Sequence, residues 1–169
     1  ALTGDRLRHE LEWVLREDRP WLALRRALEL GVLNAIHPSL GDEEAAGRLE
    51  ALASSVAKGA PGAPRRADWA GPLVYLGALA YPLSSAEGEA LIQRLNMPNS
   101  WAQVVRDTAL LREREVELAA PTVARSRLFR LAEGLAPEAV LAVSAVTGSP
   151  AAARRLAEYQ SELRFVAPT

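Results

Sequence analysis

Two stretches of this chain have no polar face. Leu73 to Tyr81 reads LVYLGALAY, and Pro137 to Gly148 reads PEAVLAVSAVTG. A helix that is apolar on most sides must be covered by protein on most sides. The remaining segments are therefore expected to wrap around two central helices, Leu73–Tyr81 and Val140–Val146. Pro72 fits the first turn of one and Pro137 opens the other, while Pro82 stops the first. Gly77, mid-way along the first stretch, permits a close helix approach. No alternating strand pattern bounded by turns occurs, and no internal repeat. Only 5% of residues are aromatic against 49% hydrophobic, so Ala, Leu and Val must fill the core. The fold class is all-α: a compact multi-helix array of about eight or nine helices, each of roughly ten to fifteen residues. A chain of 169 residues suits one domain, or two small helical subdomains with a shared core.

The outer helices announce themselves by their ends. Gly41 to Lys58 reads as a peripheral helix capped by Asp42, with a thin stripe of Leu49, Leu52 and Val56. Gly59 to Arg66, GAPGAPRR, reads as a surface loop, and Asp68 or Gly71 begins the next helix. Ser84 with Glu87 forms a capping box, and Ser100 with Gln103 a second one, opening a long helix toward Leu118. Trp101, Val104, Val105 and Thr108 share its inner face. Arg112 falls on that face too, so it marks either a bend or a buried, paired arginine. Ser126 is placed to cap a short helix ended by Gly134. Ser149-Pro150 caps the last helix, which runs to about Leu163.

Pro20 to Pro38, PWLALRRALELGVLNAIHP, reads as a helix, a stop at Gly31 and a second helical piece. Trp21, Leu24, Ala27 and Leu28 make its apolar stripe, and Val32, Leu33, Ala35 and Ile36 restart one. The helix before it, about Asp5 to Glu17, carries a stripe of Leu7, Leu11, Val14 and Leu15. Thr3 or Gly4 lies at its cap position, and Asp5 suits the positive end of its dipole. Trp13 falls off the stripe, either folded over a neighbouring loop or facing a partner. Arg6 and Glu10, one turn apart, are placed to pair.

The wording of these segments adds a resemblance. Gly4-Asp5-Arg6-Leu7-Arg8-His9-Glu10-Leu11, followed by the leucine-rich helix ending LGVLNAIHP (Leu30 to Pro38), resembles the neck and body of bacterial class II tRNA nucleotidyltransferases, the CCA-adding enzymes, and the related poly(A) polymerases. The match covers Thr3 to Pro38 and continues more faintly, as an order of helices, to the C-terminus. It implies neck-like helices over residues 1–38 and a helical body over 39–169, with the catalytic head and the family's tail outside this stretch. It also implies that Asp5, Arg6 and Glu10 brace the neck beside the nucleotide site, with Trp13 turned toward the head. Mg²⁺ and ATP or CTP would serve the head. This part would need no cofactor, and would grip the 3′ end of a tRNA or other RNA by backbone and shape.

The residues supply no catalytic centre of their own. Two-metal nucleotidyl transfer needs closely spaced carboxylates on a rigid scaffold, and no strand-borne Asp-x-Asp occurs. No phosphate-binding glycine pattern appears. The chain has no cysteine, and its two histidines, His9 and His37, are too few for a His-Asp metal site. His37, in an apolar turn, reads as structural. This polypeptide alone is therefore expected to catalyse nothing.

A net charge of −1 means that any RNA surface must be a local patch. Of the 20 basic residues only Lys58 is lysine, a bias that reflects either GC-rich coding or phosphate recognition. Arg25-Arg26 and Arg154-Arg155 have Glu29 and Glu158 beside them and read as paired. Arg125, Arg127 and Arg130 have no acid beside them in sequence and start a helix, which makes them the expected RNA-backbone contacts. No apolar run reaches membrane-spanning length, so no membrane partner and a cytoplasmic location are expected. The rival from another class is a helical protein-interaction scaffold with no RNA role.

Overall fold

The computed structural model describes residues 3–57 and 71–166. Those residues form eleven α-helices and no strand, so the all-α expectation holds. In chain order the helices are α1 (Gly4–Leu15), α2 (Pro20–Glu29), α3 (Val32–Ile36), α4 (Ala45–Ala57), α5 (Gly71–Ala80), α6 (Ser85–Arg94), α7 (Asn99–Glu113), α8 (Glu115–Leu118), α9 (Arg125–Ala132), α10 (Pro137–Val146) and α11 (Pro150–Ser161). Short 3-10 turns cover Pro38–Gly41 and Leu163–Phe165. The proposed loop Gly59 to Arg66 and the Asp68 cap lie outside the described residues.

The two apolar helices are the centre. α5 and α10 pack on each other, and α7 lies against both. Leu76 is 2% exposed and Val143 is 0% exposed. α5 and α10 approach closely at Gly77: a Cβ there would stand 2.8 Å from the Ala142 Cβ. One core cluster joins buried residues of α1 to α7 with Ala142. The other joins the far part of α7 to α8 through α11. Leu73 touches both, so α5 ties the halves together. The neck-like helices have no core of their own; Leu11, Leu15, Leu24, Leu33 and Ile36 pack into the first cluster with body residues.

Helix ends follow local chemistry where the chemistry is unambiguous. The Ser84–Glu87 capping box forms in both directions. Thr3 accepts the Arg6 amide, and Ser149 accepts the Ala152 amide ahead of Pro150. Gly31 and Gly134 both sit at φ 74°, the left-handed conformation that lets a helix end there without a Cβ clash. The other expected caps fail. α7 begins at Asn99 after Pro98, and Gln103 instead donates to the buried Asp107 at 2.8 Å. Ser126 lies inside α9, which starts from Ala124. Asp42 accepts from the buried Arg48 at 2.5 Å. That tie and the burial of Ala45, Leu49 and Leu52 against α2, α5 and α10 make α4 part of the core, not peripheral. Val32 and Ala35 are exposed, against the expected stripe. Arg112 is exposed: it donates to the Pro82 carbonyl at 2.6 Å and lies 5.6 Å over the Tyr81 ring. The break in the long helix falls at Arg114, two residues later.

Much of the arginine bias serves the fold. Arg8 donates to the Leu95 and Asn96 carbonyls beyond α6, and Arg94 to the Ile36 carbonyl at the end of α3. Arg114 reaches the Leu131 carbonyl in α9. Arg155 reaches the Leu118 carbonyl at the end of α8 and the Ala120 and Pro121 carbonyls just after it. Carbonyls at a helix end lack intrahelical donors and carry the negative pole of the dipole. A guanidinium, with several fixed N–H donors, can satisfy two or three of them at once.

Candidate nucleic-acid interface

α9 buries Leu128, Leu131 and Ala132, and Phe129 packs on Tyr159 with ring centroids 6.0 Å apart. That leaves Arg125, Arg127 and Arg130 exposed. The expectation that this cluster is free of acids is corrected by the fold. Arg127 makes a two-pronged pair with Glu117 of α8, Nε at 2.5 Å and Nη2 at 3.0 Å. Arg125 bridges Glu158 at 3.0 Å and Glu162 at 2.9 Å, from α11 and the residue just after it. The acids are 10 and up to 37 residues away in sequence, so local composition could not reveal them. Arg130 alone of the three is in no ion pair among the described residues. The hydrogen bond from Arg127 holds the Glu117 carboxyl below its ordinary pKa.

The other arginine pairs divide. Arg25 and Arg26 meet Glu29 at 3.5 and 3.3 Å, as their spacing implies. Arg155 does not pair with Glu158; it spends its donors on the carbonyls after α8, and Glu158 goes to Arg125. Arg154 is exposed and in no ion pair among the described residues.

The Gly4–Leu11 string is used in two directions. A Cβ on Gly4 would fall 1.8 Å from the Arg94 carbonyl oxygen, so only glycine lets α1 start against the end of α6. Asp5 accepts from Arg8 and from Asn96, each at 3.2 Å. Asp5 thus braces this chain's own α6–α7 turn, through Arg8 and Asn96, which the sequence reading did not single out. The Asp5–Arg8 spacing of one turn was the available signal. The expected Arg6–Glu10 pair does not form; both side chains are exposed, and neither is in an ion pair among the described residues. Trp13 is 73% exposed, so it is not folded over a loop. Arg6, Glu10 and Trp13 lie three and four residues apart, which puts them on one outward face of α1.

His37 is structural as expected. Its Nδ1 accepts the Ser39 amide at 3.1 Å, and Nε2 lies 3.6 Å from Glu87. The Ser39 hydroxyl donates to Glu87 at 2.8 Å, and this bond, then those of Ser84, hold the Glu87 carboxyl below its ordinary pKa. Tyr81 donates to Glu115 at 2.7 Å; burial first, and then Glu115, push its phenol up to about 12. No three His, Asp or Glu residues come together in a way that could hold a metal ion, and no helix is long and apolar enough to cross a membrane, among the described residues. Comparison with protein-family models, curated proteins and solved structures found no match for this chain.

Proposed function

We propose that this chain is the RNA-gripping neck and body of a template-independent RNA nucleotidyltransferase, a CCA- or A-adding enzyme or a poly(A) polymerase. One observation carries the proposal: the string that resembles the family's neck divides into an anchored side and an outward side. Gly4, Asp5 and Arg8 lock α1 onto the end of α6, and Arg6, Glu10 and Trp13 are left facing outward together. Trp13 is a large exposed side chain beside two charges that are in no ion pair among the described residues, and the catalytic head is the partner proposed to cover it. Arg130, with Arg125 and Arg127, would contact the RNA backbone.

Two results are expected. The isolated chain should bind a labelled tRNA transcript in an anisotropy titration at low salt, and the affinity should fall as salt rises because phosphate contacts release counterions. Absence of binding at about 50 mM salt would remove the RNA role. The same preparation, given ATP, CTP and Mg²⁺, should add no nucleotide to the transcript, since no group of three or more His, Asp or Glu side chains that could hold a metal ion comes together among the described residues. Template-independent addition by homogeneous chain would overturn the assignment of catalysis to a separate head.

The pairing of Arg125 and Arg127 with acids favours a second reading, a helical interaction scaffold without RNA. A flat tRNA titration together with capture of a separately produced protein domain on the Trp13 face would establish it.

A further inference from the structure

The acids that hold the α9 arginines are arranged, not scattered. Glu158 and Glu162 are one helical turn apart, so both face Arg125. Glu117 stands beside Leu118, whose carbonyl Arg155 holds together with those of Ala120 and Pro121. A carboxylate offers a guanidinium the same planar pair of oxygens that a phosphate does. Four of the five side chains are exposed and Glu158 is half-buried, so each pair is weak and open to exchange.

We propose that Glu117, Glu158 and Glu162 are internal competitors for phosphate. They hold Arg125 and Arg127 in the free chain and yield them to an RNA backbone, with Arg130 making the first contact. This rests on the RNA-gripping reading above. Its consequence is a grip that is weak and easily released, as repeated movement of an RNA end requires. It also changes the salt response. An arginine already neutralised by a glutamate gains a phosphate only by leaving that glutamate to attract a cation from solution. The net ion release is then smaller than for a free arginine.

The test combines Glu117→Gln, Glu158→Gln and Glu162→Gln, which keep side-chain size and remove the charge. A tRNA transcript is titrated against this variant, the wild type, and a charge-matched control, Glu17→Gln with Glu43→Gln and Glu50→Gln. Those three glutamates are in no ion pair among the described residues. Unchanged denaturation midpoints identify folded variants. The first triple variant should bind about tenfold more tightly at low salt. Its log-affinity against log-salt slope should steepen by roughly 0.7 to 0.9 for each of the two arginines released. The gain should disappear when Arg125→Ala and Arg127→Ala are added. An equal gain in the control, or a gain that survives loss of both arginines, would reduce the effect to net charge and overturn the proposal. Wild-type binding with no gain in the triple variant would overturn the competitor role alone. No binding by any variant at low salt would overturn the RNA reading and this proposal with it.

Discussion

Leu76→Ala should lower the unfolding free energy by about 2–5 kcal/mol. Leu76 is nearly fully buried in α5, the helix that touches both core clusters. Truncating it removes three carbons from contact and leaves a space that its neighbours can close only partly. α5 is apolar throughout and held by α7, α4 and α10, so it has little freedom to collapse inward. In a urea titration the midpoint should fall with no change in slope, because the surface exposed on unfolding is almost unaltered. At this chain length the loss corresponds to a Tm lower by roughly 4–20 °C. Val116→Ala is the control: Val116 is 85% exposed on α8, and its truncation should move stability by less than about 0.5 kcal/mol. Equal effects for the two substitutions would mean that α5 is not the centre of this fold.

The placement of α5 and α10 was legible because an all-round apolar helix has one physical solution, burial on most sides. Pro20, Gly31, Ser84 with Glu87, and Ser149 with Pro150 were legible because each acts within one turn. Ser100 and Ser126 misled for the complementary reason. Their side chains suit a cap, but Asn99 and Arg125 already lie within the helices, and nothing in a four-residue window ranks competing starts. α4 looked thin because small Ala45 and the charged Arg48 do not register as core. Both are buried once α2, α5 and α10 close over them.

The candidate interface was legible by position and not by charge. Arg125, Arg127 and Arg130 are exposed at the start and along the outer side of α9, the helix the sequence places there. Their neutralisation by Glu117, Glu158 and Glu162 is a tertiary fact, set by how α8 and α11 flank α9. α1 shows the same division. Asp5 and Arg8 act on Leu95 and Asn96, some 90 residues on, and the one-turn Asp5–Arg8 spacing was the only local signal. Arg6, Glu10 and Trp13 stay outside every such contact among the described residues, which is why their role depends on the resemblance and on a partner.

Gly77→Ala should destabilise the chain, reversing the usual sign of a glycine-to-alanine change in a helix. In an open helix that change gains up to about 1 kcal/mol, because alanine loses less backbone entropy. Here the added methyl would stand 2.8 Å from the Ala142 Cβ and 3.4 Å from the Thr108 hydroxyl. Two methyl carbons prefer about 3.5–4.0 Å, so α5 and α10 must separate where both cores meet. Overpacking of this kind costs about 1–3 kcal/mol, and should exceed the propensity gain. Ala142→Gly alone should also destabilise, by about 1 kcal/mol or more, since it empties a fully buried position and weakens α10. Combining the two moves one methyl across the contact and keeps its volume. The double variant should therefore be more stable than the sum of the single changes predicts, with a coupling of about 1–3 kcal/mol. Chemical denaturation of the four proteins measures it. A stabilised Gly77→Ala, or strictly additive changes, would show that α5 and α10 do not meet backbone to backbone at Gly77.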